Sequence, residues 1–240
     1  MGSNNSIKNM KIAFVWKWGS GKTTITAYFI QYLLSRKFTV LWFDADINVG
    51  LAEAIGIQIK KDSYLSNTQI TENIRKILKG ENSKISSVWH FVKTTPPWIG
   101  SYLISKKSKD FFDKFCSYTD THLKFFHVGT YEKEWIGTSC YHTNLSVFEN
   151  IISHTHTDET SFVVADMVAW NDSFSNTLHS QFDIIFLIVE PTRESVNMAK
   201  NFIELSGHSK NSSDICIIGN KIEDNDDIEY LRNEWIIMNE

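Results

Sequence analysis

The chain has 240 residues, 42% hydrophobic, 22% charged and 13% aromatic. This excludes a disordered, collagen-like or coiled-coil polymer and allows a core that buries roughly 70% of the unfolded surface. The formal charge is −4, from 24 basic and 28 acidic residues, so charge gives no support for non-specific nucleic-acid binding.

Lys11–Trp16 is a short apolar run and reads as a buried strand. A Gly-containing turn follows, and Thr23–Ser35 places Ile25, Phe29, Ile30, Leu33 and Leu34 at helical spacing. Thr39–Phe43 is a second strand, ending at Asp44. Leu51–Ile55 and Gln69–Leu78 read as helices. Residues 83–121 carry Pro96, Pro97, several aromatics and the lysines Lys106, Lys107 and Lys109. This stretch reads as an insertion or lid, helical around Lys109–Cys116, with the lysines in a solvated loop. Leu123–Val128 is a strand and Asn144–His154 an amphipathic helix. Ser161–Ala165 is a strand ending at Asp166, and Phe182–Val189 has the strongest buried-strand signal. Glu194–Leu205 is helical, Asp214–Ile218 a strand, and Asp226–Met238 an acidic helix. This alternation predicts an α/β fold: a doubly wound, mainly parallel sheet with helices on both faces. With no repeat and no linker, residues 1–240 read as one domain. Residues 1–9 read as a tag-like N-terminus, with Met10 a candidate start.

The first strand runs into Trp16-Lys17-Trp18-Gly19-Ser20-Gly21-Lys22-Thr23-Thr24. Strand, glycine turn and helix form the context of a phosphate cradle, in which turn N–H groups and a positive helix end meet phosphate. Gly19, Ser20, Gly21, Lys22, Thr23 and Thr24 are the candidate nucleotide-binding residues. Lys22 would reach the β/γ-phosphates, and the Thr23 hydroxyl would ligate Mg²⁺, which favours oxygen ligands. Asp44 and Asp46 lie at the end of the second strand and Asp166 at the end of another, the ligand edge of such a sheet. For the Asp pair, the simpler alternative is a cap for the helix that follows.

Lys17, five residues before Lys22, makes the turn resemble the deviant Walker A sequence KGGxGKTT of the MinD/ParA family of dimerising P-loop ATPases. That group includes the nickel-insertion ATPase of carbon monoxide dehydrogenase. The resemblance implies ATP and Mg as cofactors and a homodimer in which Lys17 crosses to the partner's nucleotide. It places Asp46 at the water-orienting aspartate, with Lys17, Lys22 and Asp46 as the catalytic set. Thr23, Asp44 and Asp166 would serve Mg²⁺. Asp166-Met167-Val168-Ala169-Trp170 is similar to the family's second switch, DxxAG. Asn220, after the last strand, matches the family's adenine-reading Asn, and Pro191 opens the loop on the other side of the base. Glu223 occupies the Asp position of the related NKxD form, which leaves GTP open beside ATP. Trp16, Trp18 and Trp170 stand where Gly is usual.

The implied function is ATP hydrolysis in a nucleotide-sandwich dimer that drives a conformational cycle on an unidentified client. The alternatives are a hydrolysis-impaired nucleotide sensor, on account of the tryptophans, or a phosphotransferase or ligase similar to dethiobiotin synthetase. Cys140 and His142, with His154 and His156, are a weaker metal-site candidate than a capped helix start, since no CxC or CxxC is present. Three cysteines, Cys116, Cys140 and Cys216, argue against a disulfide framework and for a reducing, cytoplasmic setting. No apolar run reaches membrane-spanning length. The acidic C-terminal segment has the wrong sign for anionic lipid, and covering the sheet with Leu231, Trp235 and Ile236 suits it better.

Overall fold

A computed structural model describes residues 10–46, 52, 56–59, 63–129, 145–168, 177–207 and 214–236. The predicted helix at Leu51–Ile55 apart from Ala52, Ala169 and Trp170 of the predicted switch, and the Cys140/His142 pair lie outside the described residues.

Seven strands form one sheet: β1 (Met10–Trp16), β2 (Thr39–Ala45), β3 (Tyr118–Thr119), β4 (Leu123–His127), β5 (Ser161–Val168), β6 (Ile184–Val189) and β7 (Asp214–Gly219). Their order is β3-β4-β2-β5-β1-β6-β7. Every pairing is parallel except β3 with β4. The helices are α1 (Lys22–Ser35), α2 (Thr68–Lys79), α3 (Lys109–Phe115), α4 (Leu145–Ser153), α5 (Arg193–Gly207) and α6 (Asn225–Ile236). Central strands are apolar nearly throughout, as burial on both faces requires.

Side-chain alternation fixes the faces. Phe14 on β1 packs on Phe29 of α1, with ring centroids 5.4 Å apart. Asp166 is in register with Phe14 and with Asp44, so all three share that face. Phe43, one residue away, points to the other face and packs on Phe148 of α4 at 5.0 Å. Helices therefore cover both faces, as the alternation predicts.

Two strands run further than the sequence suggests. β2 continues to Ala45 and β5 to Val168, so Asp44 and Asp166 are strand residues rather than the first loop residues. Residues 83–121 also differ from a simple insertion. They contribute Phe91, Ile104, Phe111, Phe112 and Phe115 to the core, and they supply the short strand β3. Of the C-terminal helix, Leu231 is buried and Trp235 packs on the core.

Candidate active site

The cradle is assembled by backbone geometry. Gly19 and Gly21 adopt φ of +85° and +83°, the left-handed region open to glycine. At Gly21 a Cβ would also lie 2.4 Å from the Asn220 amide nitrogen. Trp16 and Trp18 are not among the described residues with positive φ, so the turn needs no glycine at either place. The N-cap residue of α1, Gly21, has no side chain to cap the helix, and the Lys22 N–H donates to Ser20 Oγ at 3.4 Å. Thr24 is exposed on this first helical turn.

Lys22 is 3% exposed and lies among carboxylates. Its Nζ is 3.1 Å from Asp46 Oδ2 and donates a short hydrogen bond to Asp166 Oδ1. Burial works against its charge, but Asp166 and Asp46 outweigh burial, and the ammonium is held above its ordinary pKa. Thr23 Oγ1 donates to Asp166 Oδ2 at 2.9 Å. Asp44 is buried; its Oδ1 accepts the Asp46 N–H at 3.3 Å, while its Oδ2 has no hydrogen-bond partner. Burial, then the neighbouring Asp166, push Asp44 up to about 8. Burial also raises Asp166, against the pull of Lys22.

These groups fit Mg²⁺ together with a phosphate. The orphaned Asp44 oxygen, the Asp166 carboxylate and the Thr23 hydroxyl are hard oxygen donors. Among the described residues no three His, Cys, Asp or Glu side chains form a metal site by themselves. Mg²⁺ is commonly held through one or two carboxylates plus phosphate oxygens.

Asn220 and Pro191 lie at the ends of neighbouring strands, where the Asn220 N–H donates to Val189 O at 2.9 Å. The Asn220 amide nitrogen donates to Ser20 O at 2.7 Å, which ties the candidate base-reading residue to the phosphate turn. Lys17 turns away from the Lys22 cluster. Its Nζ lies 3.7 Å from both Glu190 and Glu194, and Glu190 also pairs with Lys221 at 2.7 Å. The sequence reading missed Glu190 and Glu194 as partners of Lys17. Glu190 follows directly on the end of a parallel strand, at the ligand edge, which is the signal that marks it in the sequence.

Trp16, where the resembled family usually has Gly, closes the buried strand read over Lys11–Trp16: it is 1% exposed and its Nε1 donates to Ser195 Oγ at 2.9 Å. It is a core residue pinning β1 to α5. Trp18 is 81% exposed. His154 is a core histidine bonded to Asn150 O at 2.9 Å.

The family model for the CobQ/CobB/MinD/ParA nucleotide-binding domain matches residues 16–234. The chain belongs to this family. Among curated relatives of this CobQ/CobB/MinD/ParA domain, the carbon monoxide dehydrogenase accessory protein CooC of Rhodospirillum rubrum is 24% identical over 92% of this chain and 78% of its own length. An uncharacterised ATP-binding protein of Methanocaldococcus jannaschii is 25% identical over 93% of this chain and 79% of its own length. The ParA family ATPase of Chlorobium tepidum TLS has the same fold, with TM-score 0.59 and 16% identity over 94% of this chain and 80% of that one. The ATP complex of a Cyanothece McdA variant has TM-score 0.54 and 14% identity over 95% and 79%. The fold is thus the P-loop nucleotide-binding fold of MinD and ParA, and the family is an ATP-binding one.

Proposed function

We propose that this chain is a Mg-dependent ATPase that closes as a nucleotide-sandwich dimer and drives a conformational cycle on a partner protein. The observation that carries this reading is the bracketing of Lys22 by Asp46 and Asp166, with Thr23 on Asp166. Without nucleotide, the ammonium is neutralised by carboxylates. Triphosphate offers it stronger anionic partners, and its move to the β/γ-phosphates frees both aspartates. Thr23, Asp44 and Asp166 would then hold Mg²⁺, which supplies charge neutralisation on the phosphates. Asp46, released from Lys22, orients the water. As water attacks the γ-phosphorus, the bond to the bridging oxygen breaks and ADP leaves with the electron pair. Catalysis by positioning and electrostatics needs no covalent intermediate.

Lys17 would act across the dimer, as in the family it resembles. Similarity to CooC, an accessory protein of an enzyme, supports a client protein as the object of the cycle. One observation favours slow turnover: Lys17 is held by its own subunit's Glu190 and Glu194. The backbone does not add a second reason, because Trp16 and Trp18 fit without strain. Phosphate release and particle mass, followed together in Mg-ATP, test the reading. A chain that stays monomeric and releases no phosphate contradicts it.

A further inference from the structure

Between Glu81 and Asp110 the chain has five lysines (Lys84, Lys93, Lys106, Lys107 and Lys109) and no acidic residue, in a protein of net charge −4. The same segment concentrates apolar exposure. Trp89 is 82% exposed, Ile99 84%, Val92 55%, Trp98 54% and Leu103 52%, half of the large exposed apolar side chains among the described residues. The Lys84 ammonium lies 5.9 Å from the Trp98 ring centroid, so cation and indole share one surface.

Hydrogen bonds place this segment at the sheet edge opposite the phosphate turn. The Glu81 N–H donates to Gly100 O, and the Tyr102 N–H to Leu78 O near the C-terminal end of α2. Ile104 bridges to Thr155, and Lys106 pairs with Asp158 just before β5 begins. Next to it, a recess of about 440 Å³ is lined by Lys106, Lys107, Lys109 and Lys124, with Asp113 and Asp120 as its carboxylates. Lys124, 9% exposed near the start of β4, donates to the Asp120 carbonyl and lies over the Phe112 ring at 5.7 Å. The Asp120 carboxylate is already taken up by the His122 and Leu123 N–H groups and the Tyr118 hydroxyl.

We infer that residues 84–109 form a docking surface for an anionic phospholipid bilayer. Apolar tips projecting singly from a lysine-rich loop suit the boundary between headgroups and acyl chains, where indoles and lysines sit together. A segment with five lysines and no acidic residue of its own, of which Lys106 is paired with Asp158, complements the negative lipid surface potential. The Lys-lined recess beside the tips is suited to a headgroup phosphate. This differs from membrane insertion: no helix among the described residues is long and apolar enough to cross a bilayer.

Co-sedimentation of the full chain with vesicles tests this, using phosphatidylcholine alone or mixed with phosphatidylglycerol. The chain binds the mixed vesicles only, and salt releases it. Lys107→Gln with Lys109→Gln weakens partitioning roughly 25-fold, at about fivefold per lysine. Trp98→Ser with Ile99→Ser weakens it at least about tenfold through lost apolar contact. Calorimetry with Mg-ATP shows that both variants remain folded and bind nucleotide like the parent. The inference is overturned if the parent ignores the mixed vesicles, binds neutral vesicles equally, or if both variants bind as the parent does. Binding to a polyglutamate peptide without vesicle binding also overturns it, in favour of an acidic protein partner.

Discussion

Thr23 and Asp166 are joined by a 2.9 Å hydrogen bond across 143 residues of sequence. The bond ties the first turn of α1 to β5, and Lys22 takes the other oxygen of the same carboxylate. Asp166 is thus engaged by the two consecutive side chains proposed to hold phosphate and Mg²⁺, so on that proposal nucleotide entry would break both bonds to β5.

Lys22→Ala should weaken ATP binding by at least ~1.5–3 kcal/mol for a lost charged contact. It should also destabilise the free chain, because removing one partner from a buried ion pair costs roughly 3–5 kcal/mol. Calorimetry and urea unfolding read the two effects separately. Unchanged affinity in a folded variant would remove Lys22 from the nucleotide site.

Lys17 is held by Glu190, whose side chain is 12% exposed, and by the 75%-exposed Glu194. Glu190→Gln should release Lys17 and shift ATP-dependent dimerisation to lower protein concentration. Glu194→Gln should change it little, since exposed pairs contribute only about 0–1 kcal/mol. Sedimentation velocity across a concentration series measures this, and an unchanged Glu190→Gln midpoint would show that the cis pair does not restrain closure.

Trp16→Gly should cost roughly 3–5 kcal/mol or more, as for a large buried aromatic, and should leave Ser195 without its indole donor. Trp18→Gly should stay within about 0.5 kcal/mol of the parent, as at most exposed sites. Chemical denaturation distinguishes them, and equal stabilities would contradict the core assignment of Trp16.

In the nucleotide-free chain, Asp44 at about 8, against an unfolded value of 3.8, keeps a proton that the unfolded chain has lost. Stability from this group therefore falls as pH rises from about 4 to about 8. His127, fully buried on β4 and pushed by burial down to about 4 from 6.5, works the other way below pH 6.5. There the unfolded chain takes up a proton that the folded chain refuses, so stability is lost as pH falls. Between pH 6.5 and 8 only the Asp44 slope remains of these two. Melting temperatures should decline over that window in the parent and flatten in Asp44→Asn. An equally steep decline in the variant would place the effect elsewhere.

Much of the site was legible because two strong local signals coincide. Apolar runs mark buried parallel strands, the glycine turn after the first of them marks Lys22, and carboxylates at strand ends mark the ligand edge with Asp44, Asp46 and Asp166, while Asn220 came from the resemblance to the MinD/ParA family. The indole partner of Trp16 was not legible because Ser195 is 179 residues away, and only the tertiary fold brings α5 against β1. Residues 83–121 gave little period because Phe91 and Tyr102 enter the core from loops and Phe111, Phe112 and Phe115 from a helix of only 7 residues. β3 escaped notice because only two residues pair.

In the proposed cycle Asp46, once Lys22 leaves it for phosphate, positions the hydrolytic water in a closed dimer. Phosphate release and light-scattering mass in Mg-ATP, compared between the parent and Asp46→Asn, test it most directly. The parent should dimerise and release phosphate, whereas Asp46→Asn should bind ATP, stay dimeric and release almost none. An Asp46→Asn chain that hydrolyses ATP at the parent rate would contradict it.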